Sequence, residues 1–198
     1  MSAIIAGKGP TAKPIFKKDY PDSYVIAINQ ACKLIDTPDY VFMNDIESLK
    51  GITSEDIKGV KCFIIPEYPH KNEKASLSVT QKDFVEKLRQ LDYTGNIETF
   101  NLHTGPVKKN PLLTVTSDCV TTGHTAIYYM SVVHNVKVFD TYGFLVVNRH
   151  GYHNRQFYDD TNHYTEDEIK CIYKKNFFKH TKALDRIVNE FNIQVNRF

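Results

Sequence analysis

The amino-acid sequence predicts an α/β fold in which a mainly parallel β-sheet is sandwiched between helices. Short, continuously apolar runs alternate along the chain with segments of helical periodicity. Continuous apolar runs are typical of strands buried on both faces, and their alternation with helices is typical of parallel sheets. The 198 residues contain no internal repeat and no long linker, so we expect a single domain spanning residues 1–198.

Seven segments are predicted to be strands. Gly7 follows the first of them and Pro66 follows the fourth, and both residue types are typical of strand ends. In chain order, the predicted strands are Ala3–Ala6, Tyr24–Asn29, Tyr40–Met43, Lys61–Ile65, Ile97–Leu102, Val136–Asp140 and Ile193–Phe198.

Helical periodicity predicts the elements between these strands. Residues 78–91 form one helix, and Thr125–Asn135 form a second that is apolar around most of its surface. Thr165 opens a third helix, because Glu168 completes a capping box. The last helix carries an apolar stripe on one face: Ala183, Leu184, Ile187, Val188 and Phe191.

Composition and charge exclude several classes of protein. The net charge of +2 is a weak basic excess compared with that of a dedicated nucleic-acid coat. The four cysteines are widely spaced without a C-x-x-C pattern, so the chain has no zinc or redox motif. Mean hydropathy is −0.39, and no apolar run approaches the ~18 residues of a membrane helix. Without a recognisable signal peptide, we expect a cytoplasmic protein with no membrane partner.

A glycine loop follows the first predicted strand, with the sequence GKGPTA. In open parallel sheets, ligands bind outside the carboxyl ends of the strands. Glycines there allow a tight turn and a close approach of the backbone to a phosphate or ribose. A proline in the loop removes a backbone donor, which disfavours a dinucleotide fingerprint. We therefore expect Gly7, Gly9, Pro10 and Thr11 to contact a nucleotide; a plain strand-to-helix turn is the alternative.

Asparagines end the second and third predicted strands. Asn29, with Gln30 after it, and Asn44 each offer a hydrogen-bond donor and an acceptor, which suits a ribose or a pyrimidine edge. An acidic residue in place of Asn29 would favour NAD. No D-x-D motif follows, so we expect a site that works without a metal or another cofactor. The acidic pair at residues 159–160 is predicted to be a solvated turn.

Hydroxyl groups precede the buried helix. Thr121, Thr122 and Gly123 lie just before the predicted helix Thr125–Asn135, separated from it by one residue, and side-chain hydroxyls and free N–H groups at a helix N-terminus form an anion cradle. These three residues are therefore candidates for nucleotide binding. An ordinary helix cap is the alternative explanation.

The candidate catalytic residues come late in the chain: His163, Tyr164 and His180. A general base must take a proton near neutral pH, and histidine has a suitable unperturbed pKa. A tyrosine hydroxyl can donate a hydrogen bond to a departing phosphate without a metal. A packed core histidine is the alternative for His180.

Together, these segments resemble the bacterial sialyltransferases of the Campylobacter type. That family opens with a strand and a G-x-G-P-S loop, which IIAGKGPT matches with threonine for serine. Strands that end in Asn-Gln and in Asn are matched by AINQ and VFMN. A Thr-Ser-Gly segment that opens a buried helix is matched by TTGHTAIYYM. A late His-Tyr pair and a further histidine are matched by NHY and KHTKAL, and the order is kept over essentially the whole chain.

The resemblance implies a Rossmann-like fold, as the sialyltransferase-type variant of the GT-A fold, and an inverting glycosyltransferase that needs no metal and uses a CMP-sugar. Tyr164 would support the leaving phosphate and His180 would deprotonate the acceptor hydroxyl. Because His180 lies sixteen residues after Tyr164, His163 is the alternative base. A small lid or acceptor loop is expected around residues 143–165.

The acceptor hydroxyl is expected on a glycan or on a hydroxylated base in DNA, and the sequence leaves the oligomeric state open. Two other functions remain as alternatives. The first is a non-catalytic nucleotide-binding module, which would keep the nucleotide-binding residues without turnover. The second is an NAD-linked oxidoreductase, which Asn29 disfavours.

Overall fold

The computed structural model describes residues 1–9, 11–67, 81–102, 114–115, 121–143 and 180–198. Eight strands lie in these ranges: β1 (Ser2–Ala6), β2 (Ser23–Ile28), β3 (Tyr40–Phe42), β4 (Cys62–Pro66), β5 (Asn96–Leu102), β6 (Thr114–Val115), β7 (Val138–Tyr142) and β8 (Gln194–Arg197). They form one open sheet in the order β6-β5-β4-β3-β2-β1-β7-β8, and every described pairing is parallel. The predicted Rossmann-like α/β fold is therefore confirmed.

Helices cover both faces of this sheet. The described residues contain four α-helices: α1 (Ser54–Ile57), α2 (Gln81–Gln90), α3 (Thr122–Val133) and α4, which includes residues 180–191. Neighbouring residues of a strand point to opposite faces. Ile5 of β1 accordingly joins the core under α3 and α4, and Ile4 joins the core under α1, α2 and the 3₁₀ helix Asn29–Leu34. Among the described helices, none has the length and apolar character needed to cross a bilayer.

Several element boundaries differ from the sequence prediction. Asn29 does not end β2 but opens the 3₁₀ helix with φ 55°, a left-handed conformation that asparagine tolerates well. α3 begins at Thr122, three residues before the predicted start, because the Thr121 side chain caps it. β7 begins at Val138 and extends through Tyr142. The predicted helix at Thr165 lies outside the described residues.

The order of the strands reverses at β1. The chain proceeds from β1 through β2 to β6 on one side of the sheet, and then places β7 and β8 on the other side. In open parallel sheets, such a reversal separates the loops that follow the two central strands and leaves a crevice at their carboxyl ends. The carboxyl edge of the sheet, where the parallel strands end, is therefore the expected place for a ligand, next to β1 and β7.

Candidate functional site

The loop that follows β1 is bonded to the chain that follows β7. The Gly7 amide donates to the carbonyl of Tyr142 at 2.8 Å, and the Gly9 amide donates to the carbonyl of Gly143 at 2.7 Å. The Gly143 amide in turn donates to Oγ1 of Thr11 at 2.9 Å. Three of the predicted nucleotide-binding residues thus line the strand reversal, where Gly7 and Gly9 are held by backbone hydrogen bonds and Thr11 by its side-chain hydroxyl.

Two glycines allow this close approach. A Cβ atom on Gly9 would lie 2.7 Å from the carbonyl oxygen of Gly143. Gly143 has φ +59°, and a Cβ atom on it would lie 2.7 Å from both the Gly7 oxygen and the Ala12 Cβ. The space beside the Cα of Gly9 is therefore filled by the protein's own backbone. Pro10, the remaining predicted contact of this loop, lies outside the described residues.

A partly buried lysine projects from the same loop. Nζ of Lys8 donates to Oε1 of Gln30 at 2.9 Å, which connects the ends of β1 and β2. Burial lowers the pKa of Lys8 below its ordinary value, and the carboxylate of Asp45, after β3, acts against this effect. Neither residue was predicted from the sequence to belong to the site. The available signal was their position, since each directly follows a predicted site residue at a strand end.

The two strand-end asparagines have buried acceptors without partners. Oδ1 of Asn29 and Oδ1 of Asn44 make no hydrogen bond in the structure, and Asn44 is only 5% exposed. The two asparagines follow β2 and β3. These strands are paired in a register that places Ile28 beside Phe42. A buried acceptor without a partner costs about 1–3 kcal/mol, so native structures contain few of them. A bound ligand with N–H or O–H groups at this edge would satisfy both oxygens.

α3 runs antiparallel to the strands, so its N-terminus lies at the carboxyl edge. At its other end, the His134 ring packs with centroid distances of 5.2 Å to Tyr24 and 5.1 Å to Tyr40. These tyrosines lie at the beginning of β2 and β3. α3 contains 12 residues, which gives a length of ~18 Å, comparable with that of the strands. Its first turn therefore reaches the edge at which Asn29 and Asn44 lie.

The first turn of α3 contains the predicted anion cradle. Oγ1 of Thr121 accepts the amide of His124 at 3.3 Å, so Thr121 is the N-cap. Thr122 and Gly123 form the first two helical positions, and both are buried. Amides at these positions have no partner within the helix and carry a partial positive charge, which favours a bound anion.

Two histidines meet beside this helix end. His180, at the start of the described part of α4, is buried, and its ring centroid lies 5.9 Å from that of His124. Nε2 of His124 lies 2.9 Å from the His180 carbonyl oxygen, and Nδ1 lies 2.6 Å from Oγ1 of Thr121. Burial lowers the pKa of His124 to about 4. The structure therefore brings one predicted catalytic residue, His180, to the predicted anion cradle.

The remaining predicted site features lie outside the described residues. These are His163 and Tyr164, and all of the expected lid except Gly143. Within the described ranges, no group of three His, Cys, Asp or Glu side chains is arranged to hold a metal ion. Catalysis without a metal stays a prediction, because the site includes positions beyond those ranges.

Comparison with known proteins identified no relative of this chain. No family model, no curated protein and no solved structure matches the chain. A Rossmann-like fold by itself serves many unrelated functions, so the function has to be argued from the site. The polar groups gathered at the carboxyl edge carry that argument, together with the sequence motifs that place them there.

Proposed function

We propose that this chain is an inverting glycosyltransferase that uses a nucleotide-sugar donor, of the CMP-sugar type, without a metal. The observation that carries the proposal is the pair of buried, unpartnered Oδ1 atoms of Asn29 and Asn44 at neighbouring strand ends. Both oxygens need a donor, and a nucleoside supplies several. Ribose hydroxyls and the exocyclic amine of cytosine all donate hydrogen bonds.

The groups around these asparagines suit a single phosphate. Lys8 supplies an ammonium group in a partly buried setting, and the first turn of α3 supplies amides with a partial positive charge. A CMP-sugar carries one phosphate, whereas UDP- and GDP-sugars carry a diphosphate that many transferases bind through a metal. Among the described residues, Lys8 and the N-terminus of α3 are the positive groups that we assign to this single phosphate.

In the proposed reaction, His180 accepts the proton of the acceptor hydroxyl. The hydroxyl oxygen attacks the anomeric carbon from the face opposite the phosphate, and the bond from that carbon to the phosphate oxygen breaks. CMP leaves with the bonding electrons, and the sugar is inverted. Tyr164 would donate a hydrogen bond to the departing phosphate, and His163 remains the alternative base. The acceptor would be a glycan or a hydroxylated base in DNA.

The asparagine pair can be tested by a substitution that separates binding from folding. Asn44→Leu keeps the branched shape and the number of heavy atoms of the side chain and removes the unpartnered oxygen, so the free energy of unfolding should stay constant or rise by about 1 kcal/mol. The same variant should bind CMP about fivefold more weakly, because it loses one neutral hydrogen bond to the ligand. Urea unfolding and isothermal calorimetry measure the two effects. If Asn44→Leu destabilises the fold and leaves CMP affinity unchanged, Asn44 has only a structural role.

A matched pair of glycine variants controls for the backbone. Asn29 and Asn192 both have positive φ, at 55° and 48°, but Asn192 follows α4 at the opposite edge of the sheet. Asn29→Gly keeps this backbone conformation, as does Asn192→Gly. We expect only Asn29→Gly to weaken CMP binding. Equal effects of the two substitutions would contradict a ligand contact by Asn29.

The phosphate contact is tested by comparing CMP with cytidine, which lacks the phosphate. Lys8→Met keeps the apolar stem of the side chain and removes the charge. It should weaken CMP binding about tenfold or more and leave cytidine binding unchanged, since charge-assisted hydrogen bonds are the stronger ones. Equal losses for both ligands would show that Lys8 acts on the fold rather than on the phosphate.

Three further results would change the proposed function. Stabilisation by UDP or NAD but not by CMP would change the donor class. Loss of CMP-sugar binding or turnover in EDTA, with recovery in Mg²⁺ or Mn²⁺, would contradict the metal-free mechanism. CMP binding with neither hydrolysis nor transfer of a CMP-sugar would favour a non-catalytic nucleotide-binding module.

A further inference from the structure

His124 occupies an unusual position for an ionisable side chain. It is 0% exposed, at the third position of α3, where every neighbour along the helix from Thr122 to Ser131 is also buried. An apolar residue would fill such a position without the cost of burying two polar nitrogens. Instead, both nitrogens of His124 have partners, one on each side of the ring.

The two partners fix the tautomer of His124. The carbonyl oxygen of His180 can only accept, so Nε2 of His124 carries the hydrogen and donates to it at 2.9 Å. Nδ1 is then unprotonated, and the hydroxyl of Thr121 donates to it at 2.6 Å. The neutral imidazole therefore forms a continuous bridge from the N-cap of α3 to the backbone of α4.

We infer that His124 is a positioning residue that couples the anion cradle at the N-terminus of α3 to the placement of His180. This inference rests on the proposed function, which assigns the cradle to the donor phosphate and His180 to the acceptor hydroxyl. The Nδ1 side of the bridge holds the hydroxyl of the N-cap residue. The Nε2 side holds the carbonyl of the residue that takes the proton. Donor binding at the cradle is thereby transmitted to the base through one buried ring.

Two substitutions of His124 each remove one of its two side-chain hydrogen bonds and keep the other. An asparagine amide places its polar atom near the position of Nδ1, so His124→Asn keeps the bond with Thr121 and loses the bond to His180. A glutamine amide reaches the position of Nε2, so His124→Gln keeps the bond to His180 and loses the bond with Thr121. A residue that merely fills the core would not distinguish the two replacements.

The experiment measures CMP affinity by calorimetry and the pKa of His180 by NMR titration of its imidazole signals, with and without CMP. In the natural protein, CMP should bind and should shift the His180 pKa. His124→Asn should bind CMP with nearly unchanged affinity and lose the CMP-induced shift at His180. His124→Gln should keep the His180 pKa of the free protein and bind CMP about fivefold more weakly, the effect of one neutral hydrogen bond.

His134, at the other end of α3, provides the matched control. His134→Asn and His134→Gln should leave both CMP affinity and the His180 titration unchanged. If the His124 variants do not fold, Thr121→Val against Thr121→Ser tests the Nδ1 half, because only serine keeps the hydroxyl. Equal effects of His124→Asn and His124→Gln on both readouts, or none, would overturn the inference. If the natural protein binds no CMP, both the proposed function and the coupling are wrong. If it binds CMP but His124→Asn and His124→Gln do not differ as described, only the coupling is wrong.

Discussion

Acid should destabilise this protein through His124, and the size of the effect follows from its burial. In the folded protein, burial lowers the pKa of His124 to about 4, against 6.5 for the exposed side chain. Between these values the unfolded chain binds a proton that the folded chain does not. The stabilisation is therefore complete above about pH 6.5, is lost as the pH falls toward 4, and shows no further loss below that. The gap in pKa corresponds to about 3 kcal/mol of unfolding free energy.

Urea unfolding of the natural protein and of His124→Gln at pH 7, 5.5 and 4 measures this contribution. Burial also lowers the pKa of His134, but this residue is present in both proteins, so its contribution cancels in their difference. The natural protein should lose about 3 kcal/mol more than the variant between pH 7 and 4. Parallel losses in the two proteins would refute the reasoning, since His124 would then titrate alike in the folded and unfolded chains.

Three further experiments test the fold. Gly143→Ala should lower the unfolding free energy by more than about 1 kcal/mol in urea, because φ is +59° and the Cβ would meet backbone at 2.7 Å. Cys32 and Cys62 should react with a thiol reagent only on unfolding, because burial raises the pKa of each to about 12. Asp39→Ala should cost about 2 kcal/mol in urea, since it leaves two lysines and an amide without their carboxylate, whereas Glu55→Ala in an exposed ion pair should change little.

Much of the fold was predictable because its strands are buried on both faces. Burial on both faces demands continuous apolar runs, and such runs are visible without any knowledge of pairing. Element ends were less predictable, because they depend on single side chains. The Thr121 cap moves the start of α3 forward, and the left-handed φ of Asn29 ends β2 one residue early. The two-residue strand β6 (Thr114–Val115) offered too short a pattern to predict.

A residue of the candidate site could be predicted when its position after a strand fixes its place in the fold. It could not be predicted when its place depends on which strands pair. Asn29 and Asn44 follow strands, so both must lie at the carboxyl edge. The contact between Gly9 and Gly143 depends on β1 pairing with β7, which are separated by more than a hundred residues. The sequence suggested that Gly9 leaves space for a ligand, but that space holds the Gly143 backbone. A bulky substitution at Gly9 would therefore disturb the fold before it could report on a ligand.

The distribution of unsatisfied polar groups supports the proposed ligand site at the carboxyl edge. Among the described residues, four buried side-chain atoms have no hydrogen-bond partner. Asn29 and Asn44 lie at this edge, and Thr181 lies next to His180, which meets α3 there. The exception, His134, packs among aromatic rings at the amino edge. At that same amino edge, the buried carboxylate of Asp39 accepts from two lysines and a backbone amide. A buried charge that is satisfied at one edge, with neutral polar atoms left open at the other, supports the proposal that the ligand binds at the second edge.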